Sequence, residues 1–309
     1  MHPRNKHQGD YNFKQLCVAV PALKAFVVDN KNGKQSIDFS NPKALVCLNK
    51  ALLTQHYELD YWQLPDGHLC PPIPGRVDYL HYLADLLKSS NNNRIPKRAK
   101  DIRLLDIGTG ASVVYPLLAH KVYQWQVIAS DISQSSLDNA QTIIERNGIQ
   151  QAIHLRHQSD SKHCFNNIIR SNEFIDITMC NPPFFESIES ARAANKRKWQ
   201  NLNKDVNKIG NQGFNFAGSN DELCCPGGEL KFVRRMINES KHFGHQVFWF
   251  TSLVANKDNL RALKQALKKA NATQVKTVSM QQGQKTSRFI AWSFLSQEQQ
   301  NDWCDRRFN

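Results

Sequence analysis

The amino-acid sequence predicts an α/β protein with a Rossmann-like, mostly parallel sheet, a C-terminal antiparallel hairpin and a small, mainly helical N-terminal module. From residue 102 onward, short apolar runs alternate with amphipathic helical runs, and alternating βα units form parallel sheets covered by helices on both faces. A glycine turn follows the first apolar run, whereas residues 1–100 show helical spacing without a nucleotide-binding motif. We therefore expect an N-terminal module over 1–100 and a main domain over 101–309.

Two helices are predicted in the N-terminal module. Asn41 and Pro42 place a capping residue and a first-turn proline before the amphipathic run 43–57. Residues 71–75 contain three prolines and one glycine, which predicts a rigid turn, and 77–87 carries apolar residues at helical spacing. Residues 89–100 are polar and basic, a composition that predicts a linker.

The main domain contains the alternating elements. A helix is expected directly after the glycine turn, and the other predicted helices are 133–147, which opens on the capping residue Ser133, 229–242 and 258–270. The predicted strands are 102–107, 127–130, 153–155, 174–180, 246–252, 274–280 and 288–295. A short glycine-containing connection joins the last two strands, which predicts the hairpin.

Charge is the most informative bulk property. The 309 residues include 40 Lys and Arg against 27 Asp and Glu, a formal net charge of +13 at pH 7. Such a surplus attracts polyanions and speeds their association, so nucleic acid is the first partner to expect. The alternative is a generally basic surface that serves only solubility.

The cysteines and the apolar runs argue against several other classes. The eight cysteines show no Cys-x-x-Cys motif and no Cys/His spacing of a zinc site, so no metal is expected and free thiols in a reducing compartment are favoured. No run approaches about 18 apolar residues, and no apolar signal core follows the basic N-terminus. We expect a cytoplasmic protein that does not cross a membrane.

The segment 104–112 joins the first predicted strand of the main domain to the glycine turn. Alone, this turn is compatible with phosphate binding, NAD binding or a purely structural turn. Val113 stands where a dinucleotide fingerprint has its third glycine, which argues against NAD. The Asp106 carboxylate would repel a pyrophosphate and suits the ammonium group of S-adenosylmethionine better. Asp131, which ends the second strand, can accept both ribose hydroxyls. The predicted cofactor-binding residues of this region are Asp106, Gly108, Gly110, Ser112 and Asp131.

A tetrad, Asn181-Pro182-Pro183-Phe184, ends the buried strand 174–180. Its prolines stop the strand and leave backbone carbonyls without ladder partners, so a carbonyl and the Asn181 side-chain oxygen can accept both hydrogens of a planar amino group. The nitrogen lone pair then points towards a methyl donor, and Phe184 can stack on a flipped-out base. The tetrad therefore predicts the catalytic residues Asn181, Pro182, Pro183 and Phe184, and the alternative is a proline-capped strand end with a core phenylalanine.

A long insertion over 186–228 separates this strand from the next helix. Residues 192–208 hold six basic residues against one acid, with a tryptophan among them. Beside a predicted active site, such a loop is typical of a nucleic-acid clamp with cations for phosphates and an aromatic ring for stacking. The alternative is a solvated helix and loop. The predicted nucleic-acid contacts are Arg192, Lys196, Arg197, Lys198 and Trp199.

These motifs occur together in a known family. The strand and glycine turn 106–112, the tetrad followed by Phe185, and the segments 74–82, 226–229 and 283–294 resemble the 23S ribosomal RNA adenine-N6-methyltransferase F family, which is related to eukaryotic RNA adenine-N6 methyltransferases. Arg4-Asn5 near the N-terminus also fits this family, so the resemblance spans nearly the whole chain. The insertion is longer and more basic than the core fold requires, and its RNA contacts are not carried over from the family.

The resemblance implies a class I S-adenosylmethionine-dependent methyltransferase fold, S-adenosylmethionine as cofactor, and one adenine of 23S rRNA as the substrate. The substrate is then naked RNA, a large-subunit assembly intermediate or a finished subunit, and we expect a monomer. By the same resemblance Arg76 approaches the cofactor carboxylate, for which the alternative is a surface arginine in a turn, and Asp160 flanks the cofactor adenine. Arg4 and Lys6 are the RNA contacts expected in the N-terminal module.

Other functions remain compatible with the same residues. The tetrad can hold any planar amine, so a DNA adenine and a protein glutamine amide are alternative substrates, and the basic charge argues against the protein but not against DNA. A non-catalytic RNA-binding protein on a methyltransferase-like scaffold is the alternative from another class. Absence of S-adenosylmethionine binding would distinguish it.

Overall fold

A seven-stranded sheet forms the centre of the protein. The structure, a computed structural model, describes residues 1–30, 32–96, 99–187, 189–190, 193, 223–282 and 285–309. Within these ranges the sheet has the strand order β5-β4-β3-β6-β7-β9-β8, and a separate antiparallel pair consists of β1 and β2. The strands are β1 (Val27–Asp29), β2 (Gln35–Ile37), β3 (Arg103–Ile107), β4 (Gln126–Asp131), β5 (Ile153–His157), β6 (Ile175–Cys180), β7 (Val247–Leu253), β8 (Gln274–Gln282) and β9 (Lys285–Ser293).

The direction of the strands confirms the predicted fold class. β5, β4, β3, β6 and β7 are parallel, whereas β9 runs antiparallel to both β7 and β8. β3 lies between β4 and β6, so the strand order reverses beside it. Open α/β sheets bind ligands at such a switch point, outside the carboxyl ends of the strands.

Helices surround the sheet, and most of them were expected. They are α1 (Phe13–Ala19), α2 (Pro42–Tyr57), α3 (Ile73–Ser90), α4 (Val114–Tyr123), α5 (Gln134–Arg146), α6 (Gly228–Ser240), α7 (Asn259–Lys269) and α8 (Gln297–Arg307), with 3₁₀ turns at Pro21–Phe26, Ala99–Asp101 and Lys241–Phe243. The side chain of Asn41 accepts from the backbone amides of Lys43 and Ala44, and that of Ser133 accepts from the Ser136 amide. Both residues therefore cap their helices as predicted.

Two predicted boundaries in the N-terminal module are wrong. α3 begins at Ile73, so residues 71–75 are not a separate turn; a proline in the first helical turn loses no hydrogen bond because that amide has no partner there. α3 also continues to Ser90, and the linker does not begin at residue 89. The hydroxyls of Ser89 and Ser90 both donate to the Leu86 carbonyl, which lets two polar residues finish the helix.

The sequence patterns did not predict α1, the β1–β2 pair or α8. α8 buries only a few side chains, and its sequence therefore shows no apolar stripe. A capping box of Ser296 and Gln299 begins the helix. Besides the packing of Trp303 on Phe248, polar contacts with the start of β6 fix this helix. Arg307 donates to the fully buried Asp176 at 2.6 Å, and the Trp303 indole donates to the same carboxylate at 2.8 Å.

The core consists of one hydrophobic cluster on each face of the sheet. Leu104 belongs to the cluster that also contains α2, α3 and α4, and its neighbour Leu105 belongs to the cluster shared with α6 and α7. Successive strand residues point to opposite faces, and α2 and α3 pack on one face of the sheet in the same hydrophobic cluster as α4. No helix in the described ranges is long and apolar enough to span a bilayer.

Candidate active site

A cavity of about 1130 Å³ lies at the carboxyl edge of the sheet. Its wall combines the ends of β3, β4 and β6 with parts of α3 and α6 and with the loop after β5. The sequence-predicted site residues that line it are Arg76, Gly108, Gly110, Ser112, Asp131, Asn181 and Pro183. The structure therefore brings five of the seven predicted cofactor residues and two residues of the tetrad into one space, whereas Asp106 and Asp160 are not part of the cavity wall.

The glycine turn is shaped by its backbone. Gly108 and Gly110 have φ of +73° and +66°, values that glycine adopts without strain. The amides of Gly108 and Thr109 both donate to the Ser130 carbonyl, at 2.9 and 3.0 Å. A Cβ at Gly108 would meet no atom within 4 Å, so the backbone angle, and not crowding by protein atoms, favours glycine at this position.

The end of the glycine turn is strained and held from two sides. Val113 is fully buried with φ of +44°, a left-handed conformation that costs a non-glycine residue about 1–2 kcal/mol. The Trp62 indole donates to the Ser112 carbonyl at 3.0 Å, and the Asn139 side chain donates to the Ala111 carbonyl at 2.8 Å. Trp62 comes from the N-terminal module, so that module contributes directly to the shape of the site.

Asp106 is a buried carboxylate next to the cavity. The residue is 1% exposed, and neither of its oxygens has a hydrogen-bond partner among the described residues. Burial raises the pKa of Asp106 to about 7; the nearby Thr109 hydroxyl opposes the rise, the Asp131 carboxylate adds to it, and the Arg76 guanidinium also opposes it. An unpaired buried carboxylate is costly, so this position suits a cationic group of a ligand.

Arg76 supplies the complementary charge. It donates to the Tyr115 hydroxyl at 2.7 Å, and its guanidinium lies 5.1 Å from the centre of the same ring. Its Nε is buried and has no hydrogen-bond partner in the described part of the chain. The buried Nε–H of Arg76 and the buried carboxylate of Asp106 therefore lie near each other, each without a hydrogen-bond partner among the described residues. Together they complement the carboxylate and the ammonium group of an amino-acid zwitterion.

Asp131 connects the glycine turn to the next helix. One of its carboxylate oxygens accepts from the Gly110 amide at 2.8 Å, and the other accepts from the Ser133 amide at 2.9 Å. It ends β4, lines the cavity and is half-buried. The carboxylate is thus oriented by the backbone at the strand end where a ribose was expected.

The tetrad follows β6, whose last residue pairs with Ile107 of β3. Asn181 is half-buried and lines the cavity. Backbone bonding resumes at Phe185, whose amide donates to the Leu223 carbonyl and whose carbonyl accepts from the Cys225 amide. The strand thus ends at the tetrad, as the prolines predicted.

Other predicted site residues lie elsewhere. Pro182 is buried and Phe184 half-buried, and neither contributes to the cavity wall. Asp160 is absent from that wall, although it precedes the lining residue Ser161. Arg4 pairs with Asp85 at 2.8 Å on the outside of α3, and Lys6 lies 3.4 Å from the His56 carbonyl. Arg192, Lys196, Arg197, Lys198 and Trp199 lie outside the described residues.

The structure adds lining residues that the sequence patterns did not single out. The cations of α6 face the cavity, and Lys231, Arg234 and Arg235 recur at the three- and four-residue spacing of one helix face. This spacing is visible in the sequence, but which face meets the cavity depends on tertiary packing. No cluster of metal-ligating side chains occurs among the residues that the structure describes.

Cysteines also line the cavity, namely Cys164, Cys180, Cys224 and Cys225. Burial raises the pKa of the Cys164 thiol to about 12, and the pKa of Cys180 lies well above its ordinary value for the same reason. Such thiols stay protonated at neutral pH and are poor nucleophiles. We therefore interpret them as part of the cavity wall.

Comparison with known proteins finds relatives over almost the full chain. A family model described as RNA methyltransferase matches residues 1–296. The chain is 48% identical over 304 residues to the ribosomal RNA large subunit methyltransferase F of Flavobacterium johnsoniae, which covers 98% of this chain and 96% of the relative. It is 46% identical over 307 residues to the protein of the same name from Pseudomonas putida, with 99% and 97% covered.

Solved structures agree with this match. The hMettl16 catalytic domain in complex with MAT2A 3'UTR hairpin 1 has a TM-score of 0.80 at 27% identity, covering 96% of each chain. The N-terminal domain of human METTL16 in complex with SAH has a TM-score of 0.74 at 26% identity, covering 96% of this chain and 99% of that one. The family model covers every residue of the cavity wall. The chain therefore belongs to this family of RNA methyltransferases.

Proposed function

We propose that this protein transfers a methyl group from S-adenosylmethionine to the N6 amino group of one adenine in 23S rRNA. The observation that carries the proposal is that Asn181 and Pro183 line the same cavity as Arg76, Gly108 and Asp131. A volume of about 1130 Å³ is above the roughly 300–1,000 Å³ of ordinary small-molecule sites. There is room for a cofactor and for a base turned out of its stack.

The groups around the glycine turn fit S-adenosylmethionine. Asp106 offers a buried acceptor to its ammonium group, and Arg76 offers a buried donor, its Nε–H, to its carboxylate; the Asp106 oxygens and this Nε are without hydrogen-bond partners in the described ranges. Asp131 lies at the strand end suited to the ribose, and we place Ser112 and Asp160 at the edges of the same cofactor. Bound there, S-adenosylmethionine supplies an electrophilic methyl group on its sulfonium sulfur.

The tetrad positions the acceptor. The Asn181 side-chain oxygen and a backbone carbonyl of the tetrad accept the two hydrogens of the adenine amino group, and Phe184, which is outside the cavity wall in this structure, stacks on the base when it binds. The amino nitrogen is a poor nucleophile because its lone pair is delocalised into the ring. Holding both hydrogens directs that lone pair at the methyl group and stabilises the charge that develops on nitrogen. The nitrogen loses one proton to solvent as it gains the methyl group.

Charge and kinship support ribosomal RNA as the substrate. The formal charge of +13 favours a polyanion, and the relatives that are nearly half identical carry the name ribosomal RNA large subunit methyltransferase F. We infer that Arg4, Lys6 and the basic residues of the insertion contact the RNA around the target. We further propose a cytoplasmic monomer in which residues 1–100 form the RNA- and cofactor-contacting module of the 101–309 domain.

A panel of substrates tests this function. Purified protein is incubated with S-adenosylmethionine labelled on the methyl group and with 23S rRNA, duplex DNA or release-factor protein. We expect label in rRNA alone, released as N6-methyladenosine on digestion. Label in DNA or protein alone would contradict the proposal, and calorimetry that detects no S-adenosylmethionine binding would indicate a non-catalytic RNA-binding protein.

A further inference from the structure

One face of α6 presents a row of cations to the cavity. Lys231, Arg234 and Arg235 line its wall together with Asn238, and residues three, four and seven apart share one helix face. Lys231 and Arg234 are exposed, whereas Arg235 is half-buried. None of the three cations forms a salt bridge with a carboxylate in the described ranges. This set is called the α6 cationic face below.

The acids of the same helix do not neutralise this face, because they point inward. Glu229 is 4% exposed and accepts from the Ala255 and Asn256 amides and from the Asn259 side chain. Glu239 is 8% exposed and accepts from three consecutive amides, those of residues 164–166. Buried carboxylates that are satisfied by backbone donors anchor α6 to the domain. The charges of α6 are thus segregated, with acids inside and cations at the cavity.

α6 is also fixed against the tetrad. A Cβ on Gly228, which has φ of +59°, would lie 3.4 Å from the Phe184 carbonyl oxygen and 3.2 Å from Glu186, so the helix start packs closely on the tetrad backbone. Gly227 has φ of +82°, and a Cβ there would collide with the Lys231 side chain. The aliphatic part of the Lys231 side chain therefore lies over the first turn of α6. The α6 cationic face thus begins beside the tetrad that is predicted to hold the amino group.

The Arg235 side chain is restricted in its orientation and has an unmet hydrogen-bond donor, and both properties favour ligand binding. Its guanidinium lies 5.1 Å from the Phe232 ring centre, a contact that restricts the side chain. Its Nε is buried without a hydrogen-bond partner among the described residues, and leaving a buried charged donor unmet is costly. A phosphate oxygen is the complementary acceptor, since arginine matches phosphate geometry.

We propose that the α6 cationic face binds the phosphodiester backbone of the RNA strand on one side of the target nucleotide. This inference rests on the proposed function and deepens it by assigning a surface to the substrate strand. The helical rise spreads the cations over about 6 Å, enough for about two successive phosphates. Phosphate contacts set the register of a nucleic acid but carry no sequence information, so this face positions the strand while the cavity selects the base.

The salt dependence of RNA binding tests the inference. The variant Lys231→Gln/Arg234→Gln changes two exposed side chains, and its matched control, Lys264→Gln/Lys268→Gln, removes two exposed charges from α7 outside the cavity wall. Each lost phosphate contact reduces the slope of log K against log salt by about 0.7 for a single strand. Wild type should therefore lose about 7-fold more RNA affinity than the variant between about 50 and about 200 mM salt. The control should behave as wild type.

Further readouts separate the possible outcomes. We expect the S-adenosylmethionine Kd and the melting temperature of the α6 variant to match wild type, and Arg235→Lys to retain more RNA affinity than Arg235→Gln. An α6 variant with the wild-type salt slope would overturn the inference even while wild type methylates rRNA. A weakened S-adenosylmethionine Kd would also overturn it by assigning the face to the cofactor. Failure of the proposed function would appear instead as no methyl transfer to rRNA by the wild-type protein.

Discussion

Asp106 couples the stability of the protein to pH, and Asp106→Asn tests this coupling. Burial raises the pKa of Asp106 to about 7, above the roughly 3.9 of an aspartate in an unfolded chain. Between these two values the native state keeps a proton that the unfolded state has released. The free energy of unfolding therefore falls as pH rises through this window, by about 1.4 kcal/mol per pH unit.

From about pH 5 to about pH 8 the fall amounts to roughly 3 kcal/mol, because it levels off once Asp106 itself ionises near pH 7. Asp106→Asn cannot ionise, so the stability of the variant minus that of wild type should increase by this amount between about pH 5 and about pH 8. Urea unfolding of both proteins at both pH values measures it, and subtraction cancels every other titrating group. A difference that does not change with pH would refute the assignment of a raised pKa to Asp106.

The same substitution should weaken the binding of the cofactor. If the ionised Asp106 pairs with the ammonium group of S-adenosylmethionine, wild-type affinity should rise about 10-fold per pH unit towards pH 7 and then level off. Asp106→Asn should bind the cofactor weakly, without this dependence. Calorimetry across the same pH range measures both curves. If Asp106→Asn is more stable than wild type at high pH but binds the cofactor less well, Asp106 lowers stability in exchange for cofactor binding, as residues of functional sites commonly do.

Two further predictions concern the scaffold. Trp62→Phe removes the donor to the Ser112 carbonyl, and a buried carbonyl without a hydrogen bond costs about 1–3 kcal/mol. We therefore expect calorimetry to show a raised S-adenosylmethionine Kd with little change in RNA affinity. An unchanged cofactor Kd would contradict the role of Trp62. Arg307→Ala leaves Asp176 buried without its cation, which should lower the free energy of unfolding in urea by about 3–5 kcal/mol. A loss below about 1 kcal/mol, typical of a surface pair, would show that the pair contributes little.

Sequence patterns predicted the sheet and the centre of the site because these depend on local periodicity. Asp106 and Asp131 end neighbouring parallel strands, so their proximity follows from the strand order alone. The prolines of the tetrad end β6 for a local reason, the absence of a backbone donor. The class of the fold and the position of the cavity could therefore be predicted without coordinates.

What could not be predicted depends on packing between distant segments. The Trp62 contact with Ser112 joins residues 50 positions apart, and no local pattern indicates it. The orientation of α6 depends on the Glu229 carboxylate accepting from the Ala255 amide in the loop after β7. α8 has few buried apolar residues, and its Arg307 anchors to a carboxylate 131 positions away. Periodicity detects an apolar stripe but not a polar anchor of this kind.

The central claim is that Asn181 holds the amino group that receives the methyl. The most direct test compares wild type and Asn181→Ala in single-turnover methylation of 23S rRNA at saturating S-adenosylmethionine, with cofactor affinity measured in parallel. Loss of a preorganised group acting on developing charge typically lowers the rate by about 100-fold or more. We predict such a loss of N6-methyladenosine formation with an unchanged cofactor Kd. A variant that methylates RNA at the wild-type rate would contradict the account.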